Sequence, residues 1–133
     1  MPFILAVDFD GTIFEHAWPN IEEAVPRQDV IDKVKEFKDC GAELVLWTCR
    51  ENKSLDEAIA KSKEFGIAFD AHNENAPSFA EYVKDRIDGG DQPFAVSKIF
   101  ANFYLDDLAG NIEMFLKVNV KATCKKFEDK GDE

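Results

Sequence analysis

Apolar residues along this chain fall into two patterns: unbroken runs of strand length, and helical spacing. The run Phe3 to Val7 is the first kind, the mark of a strand buried on both faces, and predicts a strand over 3–8. Trp18, Pro19, Asn20 and Pro26 then make a stretch too irregular for a long helix. Val30, Ile31, Val34 and Phe37 recur at helical spacing, predicting a helix over 29–39 with Gly41 as its stop. A second apolar run, 42–47, reads as a strand ending at Thr48-Cys49-Arg50. Ser54 with Glu57 three residues later reads as the N-cap of a capping box, opening a helix over 55–65 that stops at Gly66. Beyond it the pattern predicts a short strand at 67–69, a helix near 79–87 and a Gly89-Gly90 break. A fourth strand at 99–105 and a closing helix over 111–118 complete the order.

Strands alternating with helices predict an α/β fold, with parallel pairing and helices on the sheet faces. Right-handed crossovers place the first strand centrally, with the second on one side and the fourth on the other. The result is a doubly wound sheet with a switch point beside the first strand. Asp8, Asp10, Thr48 and Asp106 all fall at carboxyl ends of strands flanking that point, where such sheets bind ligands. With 133 residues and no linker, the chain reads as one domain over 1–124, followed by a flexible charged tail over 125–133.

Composition narrows the partners. A net charge of −11 disfavours nucleic acid and anionic membrane surfaces. No apolar run approaches the roughly 18 residues of a membrane span. A small phosphorylated substrate stays compatible with that charge, because a bound metal ion inverts the field inside one cleft. Three cysteines without a CxxC pair, and no signal-peptide pattern, predict a reduced, cytoplasmic setting. Nothing in the sequence sets the oligomeric state.

The candidate chemistry centres on Asp8-Phe9-Asp10-Gly11-Thr12. If strand alternation persists, the two carboxylates point the same way. Gly11 permits a sharp turn and close approach of a ligand, and Thr12 adds a hydroxyl and an N–H for an anion. Asp8, Asp10, Asp106 and Asp107 packed together would repel one another unless a cation joined them. Hard carboxylate oxygens in this number suit Mg²⁺. Thr48 supplies a neutral donor and Lys98 a compact positive charge, and these parts together describe phosphoryl transfer.

The chain resembles the haloacid dehalogenase-like hydrolase superfamily, in its phosphatase branch. The matching segments are DFDGT at 8–12, LVLWT at 44–48, Lys98, and FYLDD at 103–107, spanning about residues 3 to 110. The resemblance implies a three-layer, Rossmann-like sheet. It makes Asp8 the nucleophile that forms an aspartyl-phosphate and Asp10 the general acid and base, with its backbone carbonyl on the metal. Thr48 would bind the phosphoryl oxygens and Lys98 would neutralise charge. Asp106 and Asp107 would hold Mg²⁺ together with Asp8 and Asp10. Gly11, Thr12, Cys49 and Arg50 would surround the substrate; apart from the resemblance, Cys49 on its own reads as a buried, inert thiol.

Two departures stand out. Lys98 lies only eight residues before Asp106, closer than in many relatives, so Arg50 or Lys84 is an alternative cation. Neither slot for an inserted cap domain is long enough, which implies a capless member with an open cleft. Residues 13–26 form a flap in which His16 and Trp18 are candidate substrate contacts, and His72-Asn73-Glu74-Asn75 is a second candidate lining. Two other readings use the same residues. One is a receiver-type signalling module with Asp70 as phosphate acceptor; the other is a non-catalytic phosphate-binding protein.

Overall fold

Every residue of Ile4-Leu5-Ala6-Val7 is buried, and together they form β1 (Ile4–Val7) in a computed structural model that describes residues 1–88 and 98–131. Five further strands follow among the described residues: β2 (Phe14–Glu15), β3 (Val25–Pro26), β4 (Glu43–Leu46), β5 (Ala71–His72) and β6 (Phe103–Leu105). The helices are α1 (Gln28–Asp39), α2 (Asn52–Glu64), α3 (Pro77–Asp88), α4 (Ile112–Leu116) and α5 (Val120–Gly131). The main sheet has the order β5-β4-β1-β6 and is parallel throughout. The fold is therefore mixed α/β around a central β1, as expected.

Burial of β1 on both faces follows from period-two alternation. Leu5 and Val7 enter a large core with Leu44, Leu46, Leu105, Val34, Phe37 and Phe115. Ile4 and Ala6 face a smaller one with Val45, Ala71, Phe79 and Ile99. Rings dominate the larger core: Phe37 stacks on Phe3 at 5.2 Å and on Phe115 at 5.6 Å between centroids. Aromatic burial on this scale is a large part of the hydrophobic driving force of so short a chain.

Strand register positions the site. Val7 pairs with Leu46 on one side and Leu105 on the other, so the three strands end in step. The ladder continues one bond further, from Asp8 N to the Leu105 carbonyl and from Trp47 N to the Val7 carbonyl, both 2.9 Å. Asp8, Thr48 and Asp106 thus emerge at one edge.

Several elements differ from their sequence-based boundaries. The third parallel strand is Ala71–His72 rather than 67–69, because Ile67 is drawn into the larger core instead. Asp70 closes that approach, accepting from Leu44 N at 2.7 Å and pairing with Lys38 Nζ at 2.7 Å. The fourth strand begins only at Phe103: just before it, the Asn102 side chain takes the Ile4 N–H at 2.8 Å in place of a backbone carbonyl. Ser54 is not the N-cap of α2 but lies three residues beyond Glu51, where its hydroxyl accepts from Glu51 N at 3.2 Å. The closing helix is the short α4, and the expected flexible tail is helical to Gly131 within α5. Its anchor is Phe127, edge-on to Phe3 at 5.1 Å. The flap over 13–26 is a small antiparallel ribbon of β2 and β3. The Gly89-Gly90 break lies outside the described residues. No helix among the described residues is long and apolar enough to cross a membrane.

Candidate active site at the carboxyl edge of the sheet

After β1 the chain folds tightly around one carbonyl. Phe9 O accepts from the N–H groups of Thr12, Ile13 and Phe14, each at 3.3 Å, while Gly11 N reaches Phe14 O at 2.8 Å. This geometry sets Gly11 at φ +81°, a left-handed conformation that glycine adopts without steric penalty. A Cβ there would also strike the Asp107 carboxylate. Gly11 is therefore required by backbone shape and by the neighbouring acid alike.

Thr12 is fully buried and links the two acidic strand ends. Its hydroxyl donates to Asp8 Oδ2 and accepts from Asp107 N, both at 3.0 Å. The sequence suggested an anion-binding N–H at this position. The Thr12 N–H is instead bonded to Phe9, and its hydroxyl acts between protein groups.

Asp106 caps the short turn at 107–109, taking Leu108 N on Oδ1 at 2.9 Å. Its own N–H donates to Asn111 Oδ1 at 3.3 Å, and Asn111 Nδ2 donates to Tyr104 O at 2.6 Å. Oxygens of Asp8, Asp106 and Asp107 consequently gather within 4.8 Å of one another. Burial pushes the Asp8 carboxyl up to about 7. The Thr12 hydrogen bond partly offsets this, and the charges of Asp106 and Asp107 add to it.

Three hard oxygens with an unrelieved repulsion fit a divalent cation. Octahedral Mg²⁺ with bonds of about 2.1 Å sets neighbouring ligand oxygens about 3 Å apart and opposite ones about 4.2 Å apart, so the three carboxylates would draw together around the ion. No lysine or arginine pairs with these three carboxylates among the described residues.

Asp10 faces a different environment. Arg50 grips it with both edges of a fork, Nε to Oδ2 at 2.8 Å and Nη2 to Oδ1 at 2.7 Å. The Arg50 side chain is only 3% exposed. It lies between the rings of Phe9 and Trp18, at 5.0 and 5.3 Å from their centroids. Its remaining N–H groups reach Ala17 O at 3.2 Å and Ser54 O at 3.3 Å. The side chain of Asp10 is thus not part of the acidic cluster expected to hold a metal; only its backbone remains a candidate for that role.

Thr48 sits at the end of β4 as expected. Its Oγ1 accepts from Arg50 N at 3.2 Å, and its N–H donates to Asn73 Oδ1 at 2.8 Å. Asn73 also donates through Nδ2 to Arg50 O at 3.4 Å and through its N–H to Leu46 O at 2.7 Å. It holds a left-handed φ of 52°, which asparagine tolerates better than most residues. Sequence reading placed Asn73 on the cleft lining; its observed work is to fasten the 48–50 turn.

Lys98 does not join the cluster. Its Nζ lies 5.8 Å from the Tyr104 ring centroid, beside a separate hollow of about 250 Å³ walled by Phe79, Ile99, Phe100 and Tyr104. Lys84 is exposed on α3, the helix that supplies Phe79 to the smaller core. Among the described residues, Arg50 is the cation seen to pair with an acid of this edge, and that acid is Asp10 rather than Asp8.

Beside Asp10 opens a cavity of about 370 Å³ lined by Asp10, Trp18, Cys49, Arg50 and Ser54. Cys49 is exposed, correcting the expectation of a buried thiol. Trp18 lines the cavity; His16 is exposed and does not. Ser54 joins this wall from the first turn of α2, a position that no sequence pattern marks as cavity lining. Asp70, the receiver-type acceptor, is tied to Lys38 and to the start of β4, at the opposite end of the sheet from Asp8.

No protein-family model matches this chain, and no curated protein does. Among solved structures, a conserved protein coded by a locus from Bacteroides thetaiotaomicron is 27% identical, with a TM-score of 0.63, over 92% of this chain and 97% of that one. A second, from Vibrio cholerae, is 23% identical with a TM-score of 0.42, over 96% and 98% of the two chains. The first likeness extends the mixed α/β architecture over nearly the whole of both chains.

Proposed function

We propose that this protein is a Mg²⁺-dependent phosphomonoester hydrolase of the haloacid dehalogenase-like type, with a small, capless, doubly wound Rossmann-like fold. The observation that carries the reading is the convergence of Asp8, Asp106 and Asp107 within 4.8 Å at one sheet edge, with Asp10 two residues from Asp8 turned toward an open cavity. A purely structural turn gives no reason to crowd three carboxylates without a cation.

In this reading a carboxylate oxygen of Asp8 attacks phosphorus in line with the ester oxygen. The phosphorus–ester oxygen bond breaks, and that oxygen leaves as an alcohol on taking a proton from Asp10. The aspartyl-phosphate is then attacked at phosphorus by water, which gives its proton to Asp10. Inorganic phosphate departs and the Asp8 carboxylate is restored. Bound Mg²⁺, held by Asp8, Asp106 and Asp107, would supply the positive charge that lets an anionic nucleophile meet an anionic phosphate.

Each neighbour has a part. Thr12 orients Asp8 through its hydroxyl. Arg50 fixes Asp10, and Thr48 shapes the turn that carries Arg50. A cytoplasmic setting belongs to the same reading and rests on the three free cysteines.

The test is a panel of phosphomonoesters assayed with Mg²⁺. Hydrolysis abolished by EDTA and by Asp8→Asn supports the reading. Hydrolysis that survives either one defeats it.

A further inference from the structure

Asp10 marks where the leaving group must lie. If it protonates the departing oxygen, whatever that oxygen carries occupies the space on the Asp10 side of the phosphate. That space is the cavity of about 370 Å³ lined by Asp10, Trp18, Cys49, Arg50 and Ser54. Its volume falls at the lower end of small-molecule sites, which run from about 300 to 1,000 Å³. Resting on the phosphatase reading above, we propose that this cavity is the leaving-group subsite and that it takes a compact, uncharged aryl group. The substrate class is then the aryl phosphomonoester.

Two observations converge on that class. The first is charge. Both carboxylate oxygens of Asp10 accept from Arg50, which also donates to Ala17 O and Ser54 O. The two charges in the wall answer each other, so the wall carries little net charge toward a leaving group.

The second is surface. Trp18 is 66% exposed although one side of it covers the Arg50 guanidinium. An exposed indole beside a cavity offers an amphipathic aromatic surface for a ring to pack on. Cys49 adds an exposed thiol to the same wall.

The experiment uses the full chain with Mg²⁺. It compares kcat/KM for phenyl phosphate and ethyl phosphate in the wild type, Trp18→Ala and Trp18→Phe. Trp18→Ala is expected to lower kcat/KM for phenyl phosphate about tenfold more than for ethyl phosphate, the difference that removal of an aromatic contact of this kind makes. Trp18→Phe should restore most of the difference. Benzylphosphonate, an uncleavable isostere of phenyl phosphate, should bind more tightly than methylphosphonate, and the gap should close in Trp18→Ala. A phosphotyrosyl peptide separates the sources of the group: turnover equal to phenyl phosphate assigns a protein side chain, and slower turnover a free aryl ester. Equal losses for both esters in Trp18→Ala, with hydrolysis intact, overturn the subsite and leave the phosphatase reading standing. Absence of hydrolysis with benzylphosphonate still preferred overturns the phosphatase reading and leaves an aryl-phosphate binding site.

Discussion

Asp8 and Asp10 are two residues apart on one turn, yet they have opposite electrostatic fates. Asp8 is drawn into a cluster of its own kind, with Asp106 and Asp107 close by and no cationic side chain among the described residues to relieve it. Asp10 is held by a buried guanidinium through two short hydrogen bonds. Identical side chains are thus divided into one crowded by like charges and one already paired by the protein. The difference arises from long-range partners: Thr12 and β6 on one side, and the turn after β4 on the other.

The largest effect should come from breaking the Asp8 side. Asp8→Asn is expected to reduce phosphomonoester turnover at least about a thousandfold, since it removes the attacking group. The same change should stabilise the metal-free protein. Folded Asp8 keeps its proton up to about pH 7, whereas the unfolded chain releases it near its ordinary 3.8. The folded state therefore holds more protons in that window, and stability falls as pH rises through it. Thermal melts in EDTA should show Asp8→Asn gaining more over the wild type at pH 8 than at pH 4.

Next in size is the Asp10 side. Asp10→Asn should lower kcat by about 10² to 10⁴ for an ester whose leaving group needs a proton, and much less for one that does not. Comparing ethyl and 4-nitrophenyl phosphates in a steady-state assay measures this. Equal losses would erase the distinction between the two acids.

Metal removal sharpens the contrast from the other direction. At about a hundred times its dissociation constant, Mg²⁺ should add about 2.7 kcal/mol to stability, an effect that Asp106→Asn should largely cancel. Denaturant titration with and without Mg²⁺ reads it. Thr12→Val should cost about 1–3 kcal/mol, because it removes the hydroxyl that donates to the Asp8 carboxylate and accepts from Asp107 N. The smallest expected change is Asn73→Ala, at about 1 kcal/mol. That loss should leave Asp8 untouched while loosening Arg50, and chemical denaturation together with the KM for phenyl phosphate would show it.

Much of this arrangement was legible in the sequence because it depends on local pattern. The apolar runs placed β1 and β4, the helical spacing placed α1, and crossover rules ordered the strands around β1. Once the strands end in step, Asp8 and Asp106 must meet. What could not be read depends on packing between distant side chains. Lys98 turns to the Tyr104 ring, and Arg50 reaches forty positions back to Asp10; neither follows from spacing. The third strand was misplaced because Ile67 serves the larger core, where burial outweighs the strand pattern. The tail's alternating charges predict flexibility because they mask an anchor, Phe127 on Phe3.

Chemical trapping tests the division between the two acids most directly. Phenyl phosphate turnover with Mg²⁺, quenched in acid and analysed by peptide mass spectrometry, should show one phosphoryl group on the peptide of residues 1–27. Fragmentation should place it on Asp8, and Asp8→Asn should lose it together with turnover. A phosphoryl group found on Asp10 or Asp70, or turnover undiminished in Asp8→Asn, would contradict the assignment.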